Sequence, residues 1–383
     1  MPKISMYNQI NSLTALRGIA ALVVVVHHFS YYTLPKTGST LSAYSNFFRN
    51  GYLWVDFFFI LSGFIMTHVY IEDFSLKVNS SKYRSYLLSR FARIYPLHVF
   101  ILSLFIGLET LKIFLLDNSA FTGKFNLTAL FANIFLLQAF DLNCPPLFWC
   151  DTYWNEPAWS ISVEFVVYCI FPFLLFLLLR NKQKNDLRIY VFALFSILLL
   201  IAFSRGNLDS IIGIPSIARC GLECILGIIT YKIYRRGNYR NYFNLNLLAI
   251  IAVIWIILIM NYYWTYWRSL HDWLILPAFS LLILAVSINN NSVISKILNS
   301  RLMLYFGTIS YSIYMVHWFV QELLKTLWIY KFHHAFGKGF TEYEALTSLG
   351  VFLMIIILAA SLTYRFVEVP MRNYLKSTIL ANQ

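Results

Sequence analysis

Charge is scarce in this chain. Only 12% of its 383 residues are Asp, Glu, Lys or Arg, against about 25% in an ordinary soluble domain, which excludes a water-soluble globular protein. The apolar runs are continuous and lack the period-two alternation of a membrane β-barrel, so the fold class is all-α. No solenoid repeat and no low-complexity tract is present. About a dozen residues follow the segment "FVEVPMR", so a single domain over 1–383, with its core at 13–374, is expected. There is no Walker loop, no GxGxxG, no HExxH and no soluble-type nucleophile elbow. His333 and His334 have no third ligand nearby in sequence, so no metal site is expected.

What fills the chain is apolar: 59% hydrophobic residues and 18% aromatics. Windows near 13–31, 52–71, 94–116, 158–179, 188–203, 217–234, 245–262, 273–288, 302–328 and 344–366 approach the ~20 residues of a membrane-spanning helix. A shorter segment, 127–140, reads as re-entrant or interfacial. The first apolar run leads into "FSYYTLPK" rather than a small-residue cleavage site, so it is expected to be a retained span. Ten crossings put both termini in the cytoplasm, with 19 Lys and Arg in inner segments and seven in outer loops. That asymmetry accounts for the net charge of +13 without a nucleic-acid partner. Cys144 and Cys150 share an outer loop, where an oxidising compartment permits a disulfide. Cys169, Cys220 and Cys224 lie in spans and read as small buried apolar residues.

Ionisable groups inside the spans cost roughly 2.5–3.5 kcal/mol each on insertion scales, so each raises a functional question. Arg17 and His28 in "LRGIAALVVVVHHFS" are eleven residues apart, which is three turns with roughly 20° of drift and roughly 16 Å of rise. They therefore share one helix face, and His27 points elsewhere. Gly18, Ala20 and Ala21 permit close helix approach beside the arginine. Taken singly, either residue also reads as a snorkelling arginine or an interfacial histidine. Asp56 and Glu164 enter from the outer side at similar depth in the second and fourth spans, and Ser160, Glu164 and Tyr168 follow i, i+4 spacing. A histidine oriented by a carboxylate is suited to taking a proton from a hydroxyl; a polar network joining helices is the other reading. At the inner side, Arg90 and Arg93 in "SRFARIYPLH" share a face, where guanidiniums fork onto phosphate oxygens or simply anchor the span. Arg17 lies toward the same end. His317 either lines a passage between the two zones or bonds a tyrosine. Pro370 ends or bends the last helix. The outer "NYYWTYWRSLHDW" reads as an interfacial aromatic belt or a surface for stacking on sugars.

Together these segments closely resemble the membrane-bound acyltransferase family 3, the bacterial O-acyltransferases that modify cell-surface glycans. The carriers are Arg17-x10-His28, "WVDFFFILSGF", "RFARIYPLH", "WSISVEFVVY", "SYSIYMVHW" and "FVEVPMR", in the family's order from residue 13 to about 374. The resemblance implies transfer of an acyl group, typically acetyl, from cytoplasmic acetyl-CoA to a hydroxyl of a surface or lipid-linked glycan, by a multi-pass protein of the bacterial inner membrane. Lipopolysaccharide and exopolysaccharide are among the acceptors it implies, and components of the glycan-assembly machinery among the partners. On this reading His28 is the general base or a transient acyl carrier, and Glu164 or Asp56 orients it. Arg17, Arg90 and Arg93 hold the CoA phosphates, and His317 lines the thioester's path. Some members carry an extra periplasmic hydrolase-like domain; this chain is expected to be of the form without it. A proton-coupled transporter or flippase would also use intramembrane His, Asp and Glu, but no inverted repeat supports it. A non-catalytic scaffold leaves the Arg17/His28 face without a purpose.

Overall fold

The computed structural model describes residues 10–116, 121–140, 154–180, 185–204, 207–211, 213–237, 245–262, 268–288 and 293–381. Every regular element among them is helical: α1 (Asn11–His28), α2 (Pro35–Tyr44), α3 (Trp54–Phe74), α4 (Ser80–Leu116), α5 (Leu127–Ile134), α6 (Trp159–Arg180), α7 (Asp186–Phe203), α8 (Ile214–Arg236), α9 (Leu245–Asn261), α10 (Arg268–Ile288), α11 (Val293–Leu298), α12 (Arg301–Thr308), α13 (Ser310–Phe332), α14 (Glu342–Thr363) and α15 (Val369–Ala381). The protein is a polytopic all-α membrane protein. Eight of these helical stretches are long and apolar enough to cross a bilayer. The other two expected spans fall on α9, which has 17 residues, and on α13. α13 has the length, and its first half is enclosed by protein, with Ser312, His317 and Gln321 completely buried, while Leu327, Ile329, Tyr330 and Phe332 at its far end are exposed.

The segment 127–140 does not form a spanning helix. The Asn126 side chain caps α5 by accepting from the Ala129 N–H at 2.8 Å. After eight helical residues the chain turns at Leu136, whose φ is +57°. The segment is tied back to the bundle by His98 Nε2 on the Asn133 carbonyl at 2.7 Å and by Ser162 Oγ donating to the Leu136 carbonyl at 2.6 Å. α4 starts well before the span expected at 94, because Asn79 caps the Ser81 N–H at 2.9 Å and the charged "SSKYRSYLLSRFAR" turns are helical too. Cys144 and Cys150 lie outside the described residues, and Cys169, Cys220 and Cys224 are free thiols.

Two pairs of glycines set the helix spacing around the site. A Cβ on Gly307 would meet the Thr14 carbonyl oxygen at 2.0 Å, and one on Gly18 would meet the Gly307 nitrogen at 2.6 Å. α1 and α12 therefore touch backbone to backbone beside Arg17. Gly63 and Gly227 do the same for α3 and α8, with clashes of 2.2 Å on the Cys224 carbonyl and 2.0 Å on the Ile60 carbonyl.

Two π-helical turns interrupt the regular ladder. One, Phe29–Thr33, directly follows His28, and the other, Tyr364–Glu368, directly precedes Pro370. The wider turn leaves room for the proline ring, so the helix continues to Ala381 and Pro370 bends it rather than ending it. Such turns concentrate at functional sites; here both flank residues of the site.

Candidate functional site

A cavity of about 150 Å³ lies between α1, α3, α4, α6 and α13. Arg17, Arg90 and Arg93 all line it, together with Glu164 and Tyr168, so the three arginines read from separate motifs converge on one space. The i, i+3 spacing on α4 turns Arg90 and Arg93 the same way, and the Gly18 contact brings α1 close enough for Arg17 to join them. Arg93 is ion-paired with Glu368. Glu368 also accepts from Ser312 Oγ at 2.8 Å and stands 3.6 Å from Arg372 Nη1. The "FVEVPMR" segment thus orients a guanidinium. Arg90 donates to the Tyr70 hydroxyl at 2.8 Å and sits 5.2 Å over its ring. Neither Arg17 nor Arg90 has a carboxylate partner within ion-pair distance among the described residues. Three guanidiniums facing one cavity inside an apolar bundle, with Glu164 the one carboxylate among its lining residues, suit an anionic occupant.

Glu164 belongs to this arginine cavity, not to a histidine. Its Oε1 accepts from Ser62 Oγ at 2.9 Å and from the Tyr168 hydroxyl at 2.5 Å. Ser160, Glu164 and Tyr168 all line the cavity, as their spacing on α6 requires.

His28 stands about three turns beyond Arg17 along α1 and has a partner that sequence reasoning did not assign to it. His28 Nδ1 lies 2.9 Å from Nε2 of His317. The two rings are coplanar to within 3°, with centroids 5.1 Å apart, the geometry of an in-plane N–H···N bond. His317 Nδ1 is buried and has no hydrogen-bond partner among the described residues. The tautomer of the pair decides the direction of this bond: when His317 Nε2 accepts, His28 Nδ1 is the donor and His28 Nε2 keeps its lone pair. His317 is fully buried, whereas His28 is partly exposed. Trp318 and Tyr32 flank the His28 ring at 5.3 and 5.7 Å. Thr33 Oγ1 also donates to Gln321 Oε1 at 2.8 Å, binding the π turn to α13 one helical turn past His317. His27 points away and contacts the Phe48 carbonyl at 3.0 Å.

Neither Glu164 nor Asp56 is hydrogen-bonded to His28 among the described residues. Asp56 is wholly buried, and its Oδ1 accepts from Arg219 Nε at 2.8 Å and Nη2 at 2.6 Å. Arg219 Nη1 reaches the Leu208 carbonyl at 2.7 Å, and Glu223 Oε1 stands 3.6 Å from Arg219 Nε. A neighbouring polar group, Tyr52–Asp272–His271, closes on the same segment through the Leu208 N–H, which donates to Asp272 at 2.8 Å. Asp56 thus fastens α3 to α8. The sequence signal for this pairing was the Arg219/Glu223 couple at i, i+4 in mid-span.

His317 does not line the arginine cavity. Its neighbour Tyr314 does, and the Tyr314 ring lies 5.8 Å from the His317 ring. The Tyr314 hydroxyl is bonded to Ser160 Oγ at 2.9 Å and donates to the Pro157 carbonyl at 3.0 Å. One aromatic ring therefore stands between the anion-binding cavity and the histidine pair. Among the described residues no group of three or more His, Cys, Asp or Glu is placed to hold a metal.

This arrangement agrees with what the chain is similar to. It is 25% identical over 183 residues to the peptidoglycan O-acetyltransferase OatA of Listeria monocytogenes, covering 46% of this chain and 26% of that protein. It is 20% identical over 394 aligned positions to the O-acetyltransferase OatA of Staphylococcus aureus, covering 94% of this chain and 57% of that protein. The chain thus spans little more than half the length of the staphylococcal relative. No solved structure matches it. The family described as an acyltransferase domain (Acyl_transf_3) matches residues 10–365, and with nearly the whole chain inside that match, the protein is a membrane-bound member of the acyltransferase family 3.

Proposed function

We propose that the protein transfers an acetyl group from cytoplasmic acetyl-CoA to a hydroxyl of a glycan on the far side of a bacterial inner membrane, with both of its own termini cytoplasmic. The observation that carries this reading is the juxtaposition along one bundle of a cavity lined by three guanidiniums and, beyond Tyr314, a hydrogen-bonded pair of histidines. Arg17, Arg90 and Arg93 hold the nucleotide phosphates of the donor. Tyr70 and Glu368 orient the last two of them. The acyl thioester points along the cavity toward Tyr314.

At the other end His28 Nε2 takes the proton of the acceptor hydroxyl. The freed oxygen forms an ester bond with the acyl carbonyl carbon, the carbon–sulfur bond breaks, and the departing thiolate is protonated to give free CoA. His317 acts by holding His28 in the tautomer whose Nε2 accepts. The names of the relatives supply the acetyl group and the glycan class, which are carried to this chain as part of the proposal.

Proton NMR of the surface glycans of the producing cell tests it, comparing wild type, a deletion strain and His28→Ala at equal expression. Base-labile O-acetyl methyl signals are expected in wild type alone. Unchanged signals in the deletion strain would overturn the activity. Signals lost on deletion yet kept in His28→Ala would overturn the role of His28.

A further inference from the structure

The cavity is polar at one end and apolar at the other. Arg90 Nη1 stands 3.5 Å from Met66 Sδ, which places the guanidinium end at Met66. Eleven residues earlier on α3, Val55 lines the opposite end, roughly 16 Å away along the helix axis. There the walls are Val55, Phe58, Phe59, Ile161 and Tyr314, with Ser160 the polar exception. The Ser160 hydroxyl is already engaged with Tyr314 and with the Pro157 carbonyl at 3.0 Å. No charged side chain lines this end. The Phe58 ring packs edge-on to Tyr314, with centroids 6.1 Å apart. Tyr314 is itself only 6% exposed and is held by its two hydroxyl contacts.

We propose that Phe58 and Tyr314 set the acyl specificity of this protein, closing the donor cavity at a length that admits a short, uncharged acyl group and rejects longer or carboxylate-bearing ones. The inference rests on the donor reading above. An acyl chain entering with its phosphates on the arginines meets the paired rings after the carbonyl. A methyl group is accommodated against Phe59 and Ile161. Each further methylene must displace a packed ring, and overpacking of that kind costs about 1–3 kcal/mol. A succinyl carboxylate would be left without a cation at this end, which is costlier still.

The test uses the purified full-length chain in nanodiscs with permeabilised membranes of the producing strain as acceptor source, measuring thiol release from acetyl-, propionyl-, butyryl- and succinyl-CoA. Wild type is expected to turn over acetyl-CoA best and butyryl- and succinyl-CoA at least tenfold less well. Phe58→Ala and Tyr314→Ala are expected to raise the butyryl-to-acetyl ratio at least tenfold while leaving succinyl-CoA rejected. Phe58→Leu, which keeps the helix contacts, is expected to shift the ratio in the same direction by a smaller factor. A wild type indifferent to chain length, or an unmoved ratio in all three variants, would overturn the proposal while leaving acyl transfer standing. Absence of thiol release from any donor by wild type would instead overturn the donor reading, and this inference with it.

Discussion

His28 Nδ1 and His317 Nε2 are 2.9 Å apart in coplanar rings, although 289 residues separate them in the chain. A neutral imidazole can be oriented by another imidazole as well as by a carboxylate, provided the second ring carries its own proton on the nitrogen that faces away. His28→Ala is expected to lower kcat on the order of 10²–10⁴-fold. His317→Gln, which can still present an acceptor oxygen to His28, should retain more activity than His317→Leu. Measurement of kcat and KM for both variants checks this. Equal losses would show that His317 merely fills space.

Asp56 is expected to matter for folding rather than for chemistry. Removing it leaves Arg219, buried at 1% exposure, without its hydrogen-bonded carboxylate and with only Glu223 at 3.6 Å, a loss of up to about 3–5 kcal/mol. The thermal midpoint of Asp56→Ala in detergent should fall steeply. The Arg219→Leu change added to Asp56→Leu should recover part of it. Recovery without restored glycan acetylation would reveal a second role for the pair.

The donor cavity makes a prediction of a different kind. Arg17→Ala and Arg90→Ala should each raise KM for acetyl-CoA, because hydrogen bonds to charged groups contribute about 1.5–3 kcal/mol, or roughly ten- to hundredfold in affinity. Glu368→Gln should raise it less, since Arg93 remains present but loses its ion-pair partner. Kinetics with acetyl-CoA and with its 3′-dephospho form would identify which guanidinium meets that phosphate.

Close helix contact beside Arg17 predicts a position-specific sensitivity. Gly307→Ala places a Cβ at 2.0 Å from the Thr14 carbonyl oxygen, so α12 must retreat from α1. Thermal stability should fall by about 1–3 kcal/mol and KM for the donor should rise. Gly350→Ala, which meets nothing within 4 Å on a neighbouring face, should change neither.

Much of this site was legible residue by residue. Apolar length with low charge specifies membrane helices whatever their partners, because each spanning segment must satisfy its own backbone hydrogen bonds. Helical period then fixes what shares a face: Arg90 with Arg93, and Ser160 with Glu164 and Tyr168, all of which line the cavity. Shortness and the positive-inside count, not period, kept 127–140 from being read as a crossing. Period carries no information, however, about which faces meet. Asp56 and Glu164 look alike in sequence, each a carboxylate a few residues into a span. Arg219 rising from α8 claims the first, and Ser62 and Tyr168 hold the second in the arginine cavity. His317 became the partner of His28 because α1 and α13 come together at the end of α1, where Thr33 also reaches Gln321. By itself the sequence determined a polytopic helical bundle and the inventory of its intramembrane ionisable groups. Only the tertiary structure decided their pairing, because the pairing depends on helix spacings set by backbone contacts at Gly18, Gly63, Gly227 and Gly307, and no periodicity within a single helix encodes what stands opposite it.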